Sequence, residues 1–532
     1  MFIFLSIPKT VECIAVAVTL AVMLSLAAYK PMGVLQSAGY SGAKFFKWVK
    51  KKGNMAMQRL ILLCIACALA YAVAALCFSF AGEWAAIVGM ILIVLMLTVY
   101  CVADGKIALR SEVTHTPRLN RLYAVLFAVC AIVSYIVITL LNFADAVWEN
   151  EIFSYLRYLP VSVMPLLLFP LMALANLIAK IYEVPHNAKF IKQAKAKLKN
   201  SDIKIIAITG SYGKTSTKFI LNSILSKKYR TLTTPRSHNT PIGIALAVNN
   251  AQLENYDIFI AEMGARHVGD IAELCEICPP DVSLITGICG QHLETFGTFA
   301  NVVKAKGEIL DATKRSAVIA DDCFDLFAEY PCEKERCSCV SEVECSEDGT
   351  LFTLTFEGES RRVKTKLLGA HSAYNIAIAA QAAHAVGMTL DEIAEAIPEI
   401  EFIEHRLQLI KSGDVNILDD GYNSNVKGAR AAIEVLKLFK GRKIVVTPGL
   451  VELGVLEEEE NFLLGKNLAG LDFVILVGET LVQPVKRGYE EGGGDKGKII
   501  IKPTLAAAQE ELKKILHDGD TVLFLNDLPD VV

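Results

Sequence analysis

The chain has 532 residues, and its 53 Lys and Arg against 57 Asp and Glu give a formal net charge of −4. This near balance excludes a strongly basic protein of the kind that is dedicated to nucleic acid binding. The hydrophobic content of 53% and the mean hydropathy of +0.41 exceed what a soluble chain of this size carries. Part of the chain is therefore expected to lie in lipid, and a secreted disulfide scaffold, a disordered chain and a collagen-like fibre are excluded.

Five apolar runs occupy the first third of the chain, each close to the ~20 residues that an α-helix needs to cross a bilayer. They cover residues 11–29, 58–80, 85–103, 122–143 and 159–179. We interpret them as five transmembrane helices. Pro165 and Pro170 lie inside the last run and are expected to bend its helix, either through packing alone or to form a groove for lipid.

Basic residues predict the orientation of these spans. The loop between the first two runs carries six lysines and no acidic residue, and the segment 189–199 after the fifth run is again basic. Both are expected on the cytoplasmic side. An odd number of spans then places the N-terminus outside and the second half of the chain in the cytoplasm. The middle of each run lacks ionisable residues, which favours an anchor or a lipid-contact platform over a transporter.

The second half opens with a strand, a glycine turn and a helix. The apolar run IKIIAITG ends at Gly210, and TSTKFILNSIL continues with helical periodicity, which is typical of an α/β unit. The turn between them reads TGSYGKTS. Its glycines allow backbone amides to surround phosphate, its lysine reaches terminal phosphates and its threonine offers a hydroxyl to Mg²⁺. The candidate nucleotide-binding residues of this turn are Gly210, Ser211, Gly213, Lys214, Thr215 and Ser216.

Further motifs follow in a fixed order. They are HNTPIGIA (238–245), IFIAEMGARHVGDIAEL (258–274), HLETFGTFANVVKAKGEIL (292–310), GAHSAYNIAIAA from Gly369, EHRLQLI (404–410) and DDGYNSN (419–425). Together with TGSYGKTST they make the chain similar to the Mur ligase family, the ATP-dependent amide-forming enzymes of peptidoglycan precursor synthesis. The resemblance is strongest to the branch that adds D-alanyl-D-alanine to a muramoyl tripeptide, and it covers roughly residues 201–532.

The resemblance implies roles for three residues of the central segment. Glu262, directly after an apolar strand, matches a metal-binding glutamate; a buried or capping glutamate is the alternative. His292 matches a histidine that ligates a second metal ion, so ATP with one or two Mg²⁺ ions is implied. Lys306 matches a lysine that is carried as a carbamate, with Lys304 as the alternative position. Lys214, His292 and Lys306 are therefore the candidate catalytic residues, and Thr215, Glu262 and His292 the candidate metal ligands.

Three later residues are implied in nucleotide binding. Asn375 matches an asparagine that contacts adenine, although Ser372 stands where the family commonly has a further asparagine. Arg406 and Asp420 match phosphate and ribose contacts, with a salt bridge and a turn as the alternatives. In the implied reaction ATP phosphorylates an acceptor carboxylate, and an amino-acid or peptide amine then attacks the acyl phosphate. Such chemistry needs positioned charge more than a nucleophilic side chain.

The region before the phosphate loop departs from the family pattern. The D-alanyl-D-alanine-adding branch begins with a uridine-nucleotide-binding domain, whereas this chain has apolar runs. We therefore expect a lipid-linked cell-wall precursor as acceptor, at the inner leaflet of a plasma membrane of bacterial type, with the spans in contact with membrane lipids. Addition of D-alanyl-D-alanine to soluble UDP-N-acetylmuramoyl-tripeptide is the main alternative. A membrane ATPase or transporter, an inactive scaffold, and spans that contact other cell-wall enzymes also stay open.

The expected fold class is an α-helical membrane domain of five spans followed by α/β domains. The domains are a transmembrane domain (1–183), a basic cytoplasmic linker (184–200), a Mur-ligase-type central P-loop ATPase domain (201–402) and a smaller Rossmann-like C-terminal domain (403–532). The alternation of strand-like runs such as KIVVTPG and FVILVG with helical segments predicts the last two.

Overall fold

The computed structural model describes residues 7–50, 55–77, 83–105, 113–148, 150–290, 293–422, 425–451, 453–478 and 481–526. The chain divides after His186 into two compact units. The described part of the first unit is helical, and the second unit contains the β-sheets.

The first unit packs its helices around an apolar core. Its elements are α1 (Ile7–Ala27), α2 (Tyr29–Ser37), α3 (Gly42–Val49), α4 (Ala56–Cys77), α5 (Glu83–Gly105), α6 (Pro117–Trp148), α7 (Glu151–Leu156), the 3-10 helix Leu159–Leu167 and the first part of α8 (Leu168–Lys199). In the described residues, four segments are long and apolar enough to cross a membrane: Thr10–Ala27, Ala56–Cys77, Pro117–Trp148 and Ser154–Lys199. The apolar segment Ile87–Ala103 of α5 is shorter, so five spans stay a prediction.

The prolines of the last apolar run divide it into two helix types. Pro165 lies inside the 3-10 helix Leu159–Leu167, and Pro170 falls in the first turn of α8. Proline is tolerated in a first turn because the backbone donor that it lacks would have no partner there. The single bent helix expected from the sequence is therefore a 3-10 helix followed by an α-helix.

A buried ionic cluster joins three separate segments of the first unit. Arg157 is 3% exposed and donates from Nη1 to Asp145 Oδ2 at 3.0 Å, and its Nη2 lies 3.7 Å from Glu12 Oε1. The hydroxyl of Tyr158 lies 3.2 Å from the same Glu12 oxygen and 3.1 Å from Asn142 Oδ1. Glu12 and Asn142 lie at the ends of their apolar runs, and Asp145, Arg157 and Tyr158 lie just outside the runs, so the cluster ties the ends of the runs together.

The central domain of the second unit is built on a parallel sheet. Its elements are β1 (Lys204–Thr209), α9 (Lys214–Leu225), β2 (Thr231–Thr233), α10 (Pro241–Asn250), β3 (Ile258–Glu262), α11 (Asp270–Ile277), β4 (Val282–Ile285), α12 (Leu293–Phe296), α13 (Phe299–Asp311), β5 (Ser316–Ala320) and β6 (Lys334–Cys337). The strand order is β2-β3-β1-β4-β5-β6. The chain winds to one side of β1 and then to the other, and ligands bind parallel sheets at such a reversal, beyond the carboxyl ends of the strands.

A small antiparallel sheet and two helices complete this domain. They are β7 (Val340–Ser346), β8 (Gly349–Phe356), β9 (Glu359–Thr365), α14 (Ala370–Ala385) and α15 (Leu390–Ala396). Their buried side chains, among them Phe352 and Ile376, belong to the same core as those of the parallel sheet. The insertion therefore extends the central domain instead of forming a separate one.

The C-terminal domain is a second layered α/β structure. Its elements are β10 (Gln408–Ser412), β11 (Val415–Asp420), α16 (Val426–Leu438), β12 (Lys443–Thr447), α17 (Glu457–Leu468), β13 (Phe473–Val477), α18 (Val482–Glu491), β14 (Ile499–Lys502), α19 (Leu505–Ile515) and β15 (Thr521–Leu525). The sheet order is β10-β11-β15-β12-β13-β14, with β10 antiparallel to β11 and the other pairs parallel. Apolar residues of α16, α17 and α18 cover one face, and Ala508 and Leu512 of α19 cover the other.

The end of α8 belongs to the second unit. Ala194 and Leu198 are buried in the core of the central domain. Lys197 Nζ donates to the carbonyls of Val248 at 3.1 Å and Asn249 at 3.3 Å, at the C-terminal end of α10. A lysine in this position satisfies helix carbonyls that otherwise have no partner. Residues that we expected to form a linker are thus part of the folded central domain.

Two glycines allow α17 and α18 to approach until their backbones touch. A Cβ on Gly488 would overlap the carbonyl of Phe462, and one on Gly465 would overlap the carbonyl of Val485. We expect Gly488→Ala to lower the stability of the domain by roughly 1–3 kcal/mol, because backbone atoms must move apart. Thermal denaturation of the full chain in detergent measures the effect. Gly470→Ala is the control, since a Cβ there meets no atom within 4 Å, and equal midpoints for both variants would contradict the prediction.

Candidate active site

The phosphate loop connects β1 to α9 at the reversal point of the central sheet. Gly210 has φ +147° and Gly213 has φ +78°, conformations that side-chain-bearing residues rarely adopt. A Cβ on Gly213 would lie 2.7 Å from Asn375 Oδ1, and one on Gly210 would overlap the hydroxyl of Thr286. Ser211 N donates to the carbonyl of Gly287 at 2.8 Å. The loop is therefore held against the segment that follows β4, in the form that the glycine pattern predicts.

Lys214 begins α9 and folds back over the loop. Its Nζ donates to the carbonyl of Gly210 at 2.6 Å and to that of Ser211 at 3.3 Å. Burial lowers the pKa of the Lys214 ammonium, while the Glu262 carboxylate raises it and Arg406 lowers it further. Both hydrogen-bond partners of Lys214 are uncharged carbonyls, a position that suits a lysine that binds phosphate.

Glu262 ends β3 beside the loop and is 1% exposed. Its Oε1 accepts from Thr215 Oγ1 at 3.1 Å and from Asn239 Nδ2 at 3.3 Å. Its Oε2 lies 3.1 Å from Nζ of Lys218, which is 0% exposed. Burial lowers the pKa of the Lys218 ammonium and Glu262 raises it. Lys218 was missed by the sequence analysis, although its position four residues after Lys214 places both lysines on one side of α9.

These oxygen donors fit the Mg²⁺ that the sequence implies. A carboxylate oxygen and a hydroxyl 3.1 Å apart are hard ligands, and Mg²⁺ is typically held by one or two carboxylates together with phosphate oxygens and waters. Within the described residues, His, Cys, Asp and Glu do not form a group of three or more that would hold an ion alone. His292, the expected second-metal ligand, lies outside the described residues.

Lys306 faces the same site from α13. It is 3% exposed, whereas Lys304 is exposed to solvent, so the helix places Lys306 and not Lys304 at the cavity. Burial holds the pKa of the Lys306 ammonium well below its usual value, and the nearby Lys214 cation lowers it further. The Phe296 ring centroid lies 6.0 Å from Lys306 Nζ. The Lys306 amine therefore loses its proton at a lower pH than a surface lysine does.

Two cavities meet at the phosphate loop. The first, of about 480 Å³, is lined by the loop, Glu262, Lys306 and polar residues that include Arg266 and Asp270. The second, of about 610 Å³, lies between the central and C-terminal domains and is lined by Ser216, Asn375, Arg406 and Asp420, among others. Tyr212, Gly213, Ser216, Arg406 and Asn425 contribute to both cavities. A nucleotide with its base in the second cavity would direct its phosphates toward the first.

The wall that α14 contributes to the second cavity is neutral and partly apolar, whereas Asp321, Asp322 and Lys427 line it elsewhere. Burial lowers the pKa of His371 to about 4, so its ring is neutral at physiological pH. Ser372, which stands where the family commonly has asparagine, is buried and donates from its hydroxyl to the Leu368 carbonyl at 2.8 Å. Asn375 lies beside the loop, and its Oδ1 is 3.5 Å from Thr217 Oγ1. These features suit an uncharged aromatic base.

The segment that leads into the C-terminal domain positions Arg406. His405 and Leu407 have φ +57° and +51°, which is uncommon for residues other than glycine. His405 Nδ1 lies 2.8 Å from Asp419 Oδ2, and Leu407 N donates to Asp420 Oδ1 at 3.2 Å. Residues held in such conformations cluster at functional sites. Burial lowers the pKa of the Arg406 guanidinium, whereas the nearby Tyr422 and Asp420 raise it.

Contacts between the two domains close over both cavities. Within the C-terminal domain, the Arg406 guanidinium lies 4.0 Å from the centroid of the Tyr422 ring. The Tyr422 hydroxyl in turn lies 2.6 Å from Ser237 Oγ of the central domain. Lys427 of α16 donates to Asp322 Oδ2 at 2.7 Å and to the hydroxyl of Tyr212 in the phosphate loop at 3.1 Å. The C-terminal domain thus contacts the loop itself.

We expect Lys427→Met to raise KM for ATP about two- to fivefold with little change in kcat, the size expected for loss of an exposed ion pair. The change removes the contact between the C-terminal domain and Tyr212 and leaves the phosphate-binding groups in place. Steady-state kinetics at varied ATP measures it. Arg430→Met on the same helix is the control, because Arg430 pairs with Glu460 at 3.3 Å within the C-terminal domain. A KM equal to that of the control would contradict the prediction.

The central and C-terminal domains each match a known family. Residues 208–383 match the Mur ligase middle domain, and residues 405–526 match the Mur ligase, glutamate ligase domain. The UDP-N-acetylmuramoyl-tripeptide--D-alanyl-D-alanine ligase of Escherichia coli K12 is 31% identical over 334 residues, which cover 59% of this chain and 74% of that enzyme. The Bacillus subtilis enzyme of the same name is 31% identical over 278 residues, covering 50% of this chain and 60% of that enzyme.

Solved structures agree with these matches. MurF ligase from Thermotoga maritima in complex with ADP superposes with a TM-score of 0.59 at 29% identity, over 65% of this chain and 81% of that chain. MurF from Acinetobacter baumannii gives a TM-score of 0.58 at 27% identity, over 64% of this chain and 77% of that chain. With both catalytic domains matched around one phosphate loop, the chain belongs to the Mur ligase family of ATP-dependent, amide-bond-forming ligases.

Proposed function

We propose that this ligase joins D-alanyl-D-alanine to a muramoyl tripeptide through an acyl-phosphate intermediate. The observation that carries the proposal is the meeting of two cavities at one phosphate loop, with Lys214 and Lys306 at the first and Asn375 and Arg406 at the second. One cavity suits the nucleotide base and the other the acceptor carboxylate. The relatives in Escherichia coli and Bacillus subtilis, both named UDP-N-acetylmuramoyl-tripeptide--D-alanyl-D-alanine ligase, support the choice of substrates. Family membership favours this ligase over a transporter or an inactive scaffold.

The charged side chains perform the chemistry by position. Lys214 neutralises the phosphoryl group as it passes from ATP to the acceptor carboxylate. Arg406 enters from the C-terminal domain, so binding of ATP and closure of the domains are linked. Mg²⁺, held by Thr215 and Glu262, would supply further charge neutralisation at the phosphates. The amine of the dipeptide then attacks the acyl phosphate, and phosphate leaves.

We further propose that Lys306 carries a carbamate. Carbamate formation requires a neutral amine. Burial and the nearby Lys214 cation both lower the pKa of Lys306, which favours the neutral form of its amine. The modification would convert this amine into an anion beside the Lys214 cation. The two side chains that face one cavity would then attract each other.

A lipid-linked acceptor is the second candidate. The observation that favours it is the helical unit before Asn187, with four segments of membrane-spanning length and composition among its described residues. The matched relatives favour the soluble nucleotide-linked tripeptide, which is therefore our first choice. We also propose that the chain lies in the plasma membrane with its catalytic domains in the cytoplasm and its N-terminus outside.

The test uses the full chain in nanodiscs with ATP, Mg²⁺ and D-alanyl-D-alanine. The acceptor is UDP-N-acetylmuramoyl-tripeptide in one reaction and its undecaprenyl-pyrophosphate-linked counterpart in another. We expect mass spectrometry to find the pentapeptide product and stoichiometric ADP with the soluble acceptor. Product from the lipid-linked acceptor alone would favour the second candidate. ADP release that does not depend on D-alanyl-D-alanine would contradict both.

A further inference from the structure

Lys218 is a fully buried cation that the phosphate chemistry does not use. It lies on α9, one turn after Lys214, and is 0% exposed. Its Nζ lies 3.1 Å from Glu262 Oε2 and also donates to the backbone carbonyl of Arg236. A buried lysine is costly unless it is paired, so this contact has a specific role in the fold or the site.

The two oxygens of Glu262 therefore have different surroundings. Oε2 faces the Lys218 ammonium, whereas Oε1 accepts from Thr215 Oγ1 at 3.1 Å and Asn239 Nδ2 at 3.3 Å. Thr215, Asn239 and Glu262 line the first cavity, and Lys218 does not. Oε2 accepts no hydrogen bond from the described residues, but the Lys218 ammonium lies 3.1 Å away and would repel a second cation there, so a cation in the cavity is offered Oε1.

The Lys218 ammonium also restrains the loop that carries Asn239. Arg236, whose carbonyl it binds, has φ +46°, an uncommon conformation for a residue other than glycine. The same lysine thus fixes one oxygen of Glu262 directly and supports the residue that donates to the other. Rotation of the carboxylate to present both oxygens would break the contact with Lys218.

We propose that Lys218 restricts Glu262 to coordination through one oxygen and so makes the site select Mg²⁺ over Ca²⁺. Mg²⁺ requires near-octahedral geometry with short bonds, whereas Ca²⁺ accepts more ligands and often binds carboxylates through both oxygens. Blocking the second oxygen therefore costs Ca²⁺ more than Mg²⁺. Lys218 is a positioning residue in this role, and the proposal rests on the metal-binding role of Glu262 proposed above.

The test compares the full chain with its Lys218→Met and Lys218→Gln variants in detergent. Isothermal titration calorimetry with MgCl₂ or CaCl₂, on protein saturated with a non-hydrolysable ATP analogue that supplies the phosphate oxygens, gives the two dissociation constants without any catalytic step. Inhibition of ligation by Ca²⁺ at fixed Mg²⁺ is measured in parallel. Lys218→Gln retains a donor for the Arg236 carbonyl and is expected to be the more stable variant. Lys197→Met is the control, since Lys197 also donates to backbone carbonyls but lies at the far end of α10.

We expect both Lys218 variants to raise the ratio of Ca²⁺ affinity to Mg²⁺ affinity about tenfold. This is the lower end of the change in metal affinity that follows the loss of a residue bound to a metal ligand. Inhibition by Ca²⁺ should strengthen in parallel, and the control should keep the original ratio. A ratio within twofold of the original in a folded Lys218 variant would overturn the proposal. An original protein that binds neither ion would instead refute the metal-binding role of Glu262.

Discussion

Replacing Lys214 by alanine is expected to lower kcat for ATP-dependent ligation by about 10³-fold, the scale of losing one preorganised charged group at a transferring phosphoryl group. Lys214 Nζ is bound to the Gly210 and Ser211 carbonyls of the loop that it serves. Alanine leaves the helix N-terminus and loop amides in place, so ATP should still bind, more weakly. Release of ADP and formation of product in the presence of both substrates measure the loss.

The control for this change is Lys228→Ala. Lys228 lies beyond the other end of α9, pairs with Glu392 at 2.9 Å and lines neither cavity. Both variants should keep the thermal denaturation midpoint of the original chain within a few degrees. Retention of most of the ligation activity by Lys214→Ala would show that the phosphate loop has been assigned wrongly.

Replacing Lys306 by alanine is expected to lower kcat by about 10²- to 10³-fold, because the site loses the carbamate anion proposed there, close to the phosphoryl group. If Lys306 carries a carbamate, removal of CO₂ and bicarbonate should lower the activity of the original chain, and added bicarbonate should restore it. Carbamate formation should increase as pH rises through the depressed pKa of the lysine, since only the neutral amine reacts. Labelling with ¹³C-bicarbonate and carbon NMR detects the adduct directly.

Lys304→Ala provides the matched control, since Lys304 is two residues away on the same helix and is exposed. It should keep both the activity and the bicarbonate response. Near-normal activity of Lys306→Ala would contradict a role for a carbamate at this residue. So would an original chain whose activity does not respond to bicarbonate and which shows no ¹³C carbamate signal. The first outcome would also place Lys306 outside the catalytic machinery.

Features of the fold that depend on residues close together in the chain could be predicted from the sequence. The glycine turn after β1 was predicted because Gly210 and Gly213 must adopt backbone conformations that other residues disfavour. The α/β layers were predicted because buried parallel strands form continuous apolar runs, and the structure confirms alternating strands and helices in both catalytic domains. The family was predicted because its motifs occur in a fixed order, and the matches of both catalytic domains confirmed it.

Contacts between distant segments could not be predicted. The pairing of Lys218 with Glu262, and that of Lys427 with Asp322, joins residues far apart in the chain, so periodicity contains no signal for either. The choice between Lys304 and Lys306 needed the orientation of α13 in the folded domain. The segment 184–200 was expected as a linker because it is basic, yet Ala194 and Leu198 on one side of the helix are buried in the central core.

The end of α8 determines where a soluble fragment for crystallography or inhibitor screening should begin. A fragment that starts at residue 208, where the match to the Mur ligase middle domain starts, would lack Ala194 and Leu198 and expose the apolar surface that they cover. It would also leave the carbonyl end of α10 without Lys197, although the opposite end of that helix lines the first cavity. A fragment that starts at Asn187 retains Ala194, Lys197 and Leu198, and with them the packing of the helix α10 that lines the first cavity.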